Sequence, residues 1–92
     1  MATNNGKRFK FSPQAAWRKI DEEVIILNVD NSVYYSLNET GAAVWEKLGA
    51  GTAPDEIAAE ISREYGAALP SVEKDVAEII SNLRKEKLLI DA

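Results

Sequence analysis

Residues 24–37 read Val24-Ile25-Ile26-Leu27-Asn28-Val29-Asp30-Asn31-Ser32-Val33-Tyr34-Tyr35-Ser36-Leu37, two β-branched and aromatic runs on either side of Asp30-Asn31. Asn and Asp tolerate the left-handed backbone of a tight turn, so the pattern predicts a hairpin of strands Val24–Val29 and Ser32–Leu37 with a two-residue loop. That loop sets the register. Val29 faces Ser32, Leu27 faces Tyr34 and Ile25 faces Ser36, whereas on the other side Asn28 meets Val33, Ile26 meets Tyr35 and Val24 meets Leu37. One face supplies the core. Ile25, Leu27 and Tyr34 line the other and require a cover, with Trp17, a second copy of the chain or a partner enzyme as candidates.

Upstream, Ala16–Ile20 reads as an earlier strand that turns at Asp21-Glu22-Glu23 into the hairpin, with Phe9 and Phe11 extending or preceding it. Downstream the apolar period changes to that of helices. Asn38 caps a first helix over Glu39–Leu48, whose Ala42, Trp45 and Leu48 share a stripe before Gly49 and Gly51 end it. Thr52 and Asp55 have the spacing of a capping box and open a second helix through Tyr65, with Ile57, Ala58, Ile61 and Tyr65 on its apolar side and Gly66 as its stop. Ser71, after Pro70, caps a third helix over Val72–Lys87, in which Val72, Val76, Ile79, Ile80 and Leu83 recur at helical spacing. Its acids, Glu73, Asp75 and Glu78, gather towards its start and its bases, Arg84, Lys85 and Lys87, at its end, as the helix dipole prefers. Leu88-Leu89-Ile90 follow as an apolar tail that packs. The fold class expected is α+β: a small three-stranded antiparallel sheet followed by three helices.

The 92 residues, 46% hydrophobic and 28% charged, suit one small domain with a single core. With no His and no Cys, the chain lacks the usual ligands of zinc and iron–sulfur sites, cysteine nucleophiles, histidine bases and disulfides. No nucleophile-and-base pair or Gly-rich phosphate loop stands out, so the chain is expected to be no enzyme and to need no cofactor or metal. Asp21-Glu22-Glu23 reads as a solvated turn. No apolar run is long enough to span a bilayer and the first residues lack a signal-peptide core, which predicts a cytoplasmic protein without a membrane partner. Residues 1–19 carry Lys7, Arg8, Lys10, Arg18 and Lys19 and no acid, whereas the rest carries all 15 acids against 6 bases. The expected division is a basic N-terminal arm over 1–15 and a folded domain over 16–92.

If spatial order follows the chain, Ser32–Leu37 is an edge strand, and it has none of the Lys, Pro or bulge that usually blunts one. Such an edge invites another strand, unless a helix or the basic arm covers it. The run Tyr35-Ser36-Leu37-Asn38-Glu39-Thr40-Gly41-Ala42-Ala43-Val44-Trp45, the later Gly51-Thr52 with Glu56-Ile57-Ala58, and Asp75-Val76 with Leu83 and Leu88-Leu89 together resemble the PqqD family. The resemblance extends from about Val24 to Ile90. Lys87 departs from it, since the family usually has Gly before the terminal Leu pair.

The resemblance implies a winged helix-turn-helix-like fold that binds a peptide: a recognition element of pathways that modify ribosomally made precursor peptides. Family members capture the leader segment by strand addition and deliver it to a modifying enzyme such as a radical SAM maturase or a leader peptidase. Carried to this sequence, the edge strand is Val33, Tyr34, Tyr35, Ser36 and Leu37, and the helical wall of the cleft comes from Asp75, Val76, Ile79, Ile80 and Leu83. Most of these apolar residues are also what a core would use. Asp75 reads either as a first-turn acid complementing the dipole or as a contact at the cleft mouth. Two other readings stand beside this one. A winged-helix DNA-binding protein would put its second or third helix in a groove, but Asp55, Glu56, Glu60 and Glu64 against a lone Arg63 repel phosphate, so no nucleic-acid partner is expected. A structural subunit of a biosynthetic complex would engage a protein and ignore an isolated leader. The two-faced hairpin leaves a homodimer open.

Overall fold

The computed structural model describes residues 7–92 and contains β1 (Phe9–Phe11), β2 (Ala15–Ile20), β3 (Glu23–Asn28), β4 (Val33–Leu37), α1 (Glu39–Gly49), α2 (Pro54–Tyr65), α3 (Leu69–Lys85) and β5 (Leu89–Asp91). The antiparallel sheet runs β2-β3-β4, and β1 pairs with β5 in a second, two-stranded sheet. The fold is α+β, with Val24 and Ile26 of the sheet packed against Val44, Trp45 and Leu48 of α1 and the inner faces of α2 and α3. No helix among the described residues is long and apolar enough to cross a membrane.

The hairpin register is the expected one: Val24 opposite Leu37, Ile25 opposite Ser36, Ile26 opposite Tyr35, Leu27 opposite Tyr34 and Asn28 opposite Val33. The turn differs. The strands stop at Asn28 and Val33, so the loop has the four residues Val29–Ser32, and Ser32 rather than Asp30 or Asn31 adopts positive φ. Asn28 is the reason. Its buried side chain donates to the Glu86 carbonyl at 3.2 Å and accepts from the Asp30 N–H at 2.9 Å, while the Asn31 side chain accepts from the Val33 N–H. The tight two-residue turn lies one strand earlier, at Asp21-Glu22, with Asp21 at φ 57° and Glu23 paired to Ile20 within the sheet.

Of the basic arm expected over residues 1–15, residues 1–6 lie outside the described residues. Phe9–Phe11 forms β1 instead of lengthening β2, and Phe9 is buried. Its partner is the apolar tail: Leu88 and Leu89 are buried, whereas Ile90 is exposed. Phe11 stacks on Trp45 with ring centroids 3.8 Å apart, and Trp17 meets both rings edge-on. A Cβ at Gly49 would lie 2.4 Å from the Phe11 ring, so only glycine admits this stack at the end of α1. Trp17 therefore lies on the core side of the sheet and does not cover Ile25, Leu27 and Tyr34.

Asn38 caps α1 as expected, accepting from the Gly41 N–H at 3.0 Å. The other two helices start differently. α2 begins at Pro54 behind Ala53, so Thr52 is no cap, and α3 begins at Leu69 behind Ala68, so Ser71 is inside its first turn. Proline belongs at these first positions because its missing N–H has no helical partner there. Lys87 falls outside α3, which ends at Lys85.

Candidate functional site

β4 pairs only with β3 among the described residues, which leaves its second edge free. Which of its backbone groups are free follows from the alternation of a central strand. Val29 N–H donates towards β2, to the Gln14 carbonyl, and the Asn28 carbonyl accepts from Ser32 on the β4 side. Along β3, then, Val24 and Ile26 bond towards β4 and their partners Leu37 and Tyr35 bond inward, whereas Val33, at the turn end, gives its N–H to the Asn31 side chain. Tyr34 and Ser36 turn their N–H and C=O groups outward.

Beside that edge, between β4 and α3, runs a groove of about 610 Å³ lined by Glu23, Ser36, Leu37, Asn38, Thr40, Gly41, Asp75, Glu78 and Ile79. Asp75 and Ile79 lie four residues apart and so share one flank of α3, while the start of α1 closes the end where β4 runs out. Leu37 and the half-buried Ile79 give the groove apolar walls; Glu23, Asp75 and Glu78 give it a negative rim. None of these three carboxylates has an ion-pair partner among the described residues. Asp75 is the seventh residue of α3, beyond the first turn, so complementing the helix dipole does not account for it.

The structure thus brings Ser36, Leu37, Asp75 and Ile79 together. Val33 and Tyr34 are exposed on the strand, and Tyr35 is half-buried against the core. Val76, Ile80 and Leu83 are buried; Val76 and Ile80 face a separate cleft towards Pro54, Ala58 and Phe9. Asn38, Thr40, Gly41, Glu78 and Glu23 join the groove without having been singled out for it from sequence. The N-cap and first turn of α1 bring the first three, and a helical flank one residue removed from the apolar stripe brings Glu78. No group of three or more His, Cys, Asp or Glu converges for a metal among the described residues.

The family profile for coenzyme PQQ synthesis protein D (PqqD) matches residues 23–89. Among solved structures, the chain is similar to TbiB1 in complex with the TbiA(beta) leader peptide, at 32% identity and TM-score 0.82 over 87% of this chain and 93% of that one. It shares its fold with lasso peptide synthetase B1 complexed with the leader peptide, at 23% identity and TM-score 0.83 over 90% of this chain and 98% of that one. No curated protein sequence matches it.

Proposed function

Because the chain belongs to the PqqD family, we propose that it is a non-catalytic peptide carrier, which captures the leader segment of a ribosomal precursor peptide and presents it to a modifying enzyme, a radical SAM maturase or a leader peptidase. The observation that carries this reading is the open edge of β4 beside the groove. A leader strand added there satisfies the outward backbone groups of Tyr34 and Ser36, and its alternate side chains enter the groove over Leu37 and Ile79. Main-chain bonds hold any extended peptide, so the choice among peptides falls to the groove. Asp75, with Glu23 and Glu78, makes its mouth hostile to an acidic side chain.

Binding in the micromolar to nanomolar range, roughly −8 to −12 kcal/mol, is expected for the leader of the chain's own precursor. Fluorescence anisotropy with that labelled leader tests it, and no change up to high micromolar protein rejects the reading. In an NMR titration the amide shifts should gather on Val33–Leu37 and Asp75–Ile79. Shifts confined to α2 would favour a different mode of binding.

A further inference from the structure

Cations close the surface seams between elements elsewhere in the molecule. Lys19 of β2 reaches Glu46 of α1 at 3.0 Å, Lys47 of α1 reaches Glu60 and Glu64 of α2, and Arg84 of α3 reaches Asp91 of β5. The seam between β4 and α3 differs. Glu23, Asp75 and Glu78 line its groove, all three exposed and none in an ion pair among the described residues, and no Lys or Arg lines it with them. The helix end nearby does not offset them, since at the start of α1 Asn38 already takes the Gly41 N–H and Glu39 adds a further acid. Nor do they converge: no group of three acids among the described residues is placed to share a metal ion. Spread round a groove with Leu37 and half-buried Ile79 in its walls, they suit a cation carried on a long apolar stem.

Leu37 lies on the core side of β4, and a strand added to the outward groups of Tyr34 and Ser36 sends alternate side chains to that side. One of them passes Leu37. We propose that this leader position is a lysine or arginine, whose methylene stem lies over Leu37 and Ile79 and whose charged head meets Asp75 and Glu78. Those two carboxylates are three residues apart on one flank of α3, so a single head can lie between them. Glu23 adds to the same negative field from the sheet side. The inference rests on the leader-binding reading above and narrows it to leaders with one basic side chain at a fixed place in the added strand. A leader that is neutral there keeps its main-chain bonds and loses this contact.

The test is a double-mutant cycle by fluorescence anisotropy, using the fluorescein-labelled leader of the chain's own precursor and versions of it in which each Lys or Arg in turn is replaced by Met. On the protein side, Asp75→Asn and Glu78→Gln alter exposed side chains, so both variants fold. Each is expected to weaken leader binding about three- to fivefold, and the two together about tenfold, with the loss shrinking as NaCl is raised from about 0.05 to 0.5 M. Glu56→Gln, which removes an acid of α2 outside the groove, should stay within about twofold of the parent, showing that position and not net charge decides. One replacement in the leader should cost the parent about tenfold and the double variant no more than about twofold, because the contact is already gone. A double variant that binds leader within twofold of the parent overturns the proposal, and so does a leader that binds with no Lys or Arg in it. Losses from the two sides that simply add in every combination overturn it as well, since the charges then do not meet. In each of these cases leader binding itself stands. If the parent does not bind leader at all, the functional reading fails instead.

Discussion

Lys87 holds φ at 62°, in the left-handed region that a Cβ disfavours. It does so because α3 ends there in a paired set of bonds: the Leu88 N–H donates to the Leu83 carbonyl and the Lys87 N–H to the Arg84 carbonyl. The same six-residue closure ends α1, where the Thr52 N–H donates to the Lys47 carbonyl and Gly51 takes φ 86°. Glycine suits that position, and lysine pays roughly 1–2 kcal/mol for it, less the extra unfolded-state freedom of glycine. Lys87→Gly is therefore expected to stabilise the domain by about 0.5–1 kcal/mol, raising Tm by about 3–6 °C. Thermal unfolding of the pair settles it, and an unchanged or lower Tm contradicts the argument. On the groove side of the same helix, half-buried Ile79 and fully buried Leu83 should separate cleanly. Leu83→Ala leaves a core cavity and costs roughly 2–5 kcal/mol, whereas Ile79→Ala should cost about 1 kcal/mol while weakening leader binding about tenfold. Denaturant melts and anisotropy titrations on both variants check this. Ile79→Ala that binds leader like the parent, or that unfolds, would place the site elsewhere.

Among the elements, β4 carries the sharpest expectation, because its outward amides are identified. Tyr34→Pro deletes one outward N–H and leaves the bonds to β3 intact, so the fold should persist. A hydrogen bond of this kind contributes roughly 0.5–1.5 kcal/mol, so leader affinity should drop about 2- to 13-fold below that of a Tyr34→Ala control, which removes only the side chain. Equal affinities for the two variants would mean that the leader does not pair with this edge. The hairpin register was legible because strict alternation leaves one pairing that puts Val24, Ile26 and Leu37 on the same face. The loop was not, because its conformation depends on Asn28 reaching Glu86, 58 residues away. β1 and β5 were hidden for a similar reason: each has three residues, and their pairing joins the two ends of the described chain. In the candidate site, helical spacing distinguished the inner side of α3 from the outer. It did not say which inner flank meets β4 and which meets α2, and that phase separates Asp75 and Ile79 from Val76 and Ile80.

At the scale of the whole molecule, charge is the organising quantity. The body is acidic, and α2 presents Asp55, Glu56, Glu60 and Glu64. Lys47 of α1 meets two of these, with Nζ 2.8 Å from Glu60 and 3.3 Å from Glu64, and so ties α1 to α2. The hydrogen bond to Lys47 holds the Glu60 carboxyl below the usual carboxylate range. In turn Glu60, and then Glu64, raise the Lys47 ammonium above its ordinary value. These shifts have opposite signs and bound a window. A carboxyl with a lowered folded pKa contributes stability above its unfolded pKa and loses it as pH falls through the lowered value. An ammonium with a raised folded pKa contributes below its unfolded pKa and loses it as pH rises through the raised value. The cluster therefore supports the fold across the neutral range and at neither extreme. Being near the surface, it supports it only modestly and less at high salt. Lys47→Met removes both shifts at once. Urea midpoints at about pH 3, 7 and 11 should show the variant below the parent at neutral pH, with the gap narrowing towards both ends. A gap that stays constant from pH 3 to pH 11 would mean that the Lys47 stem, packed between the helices, contributes and its charge does not.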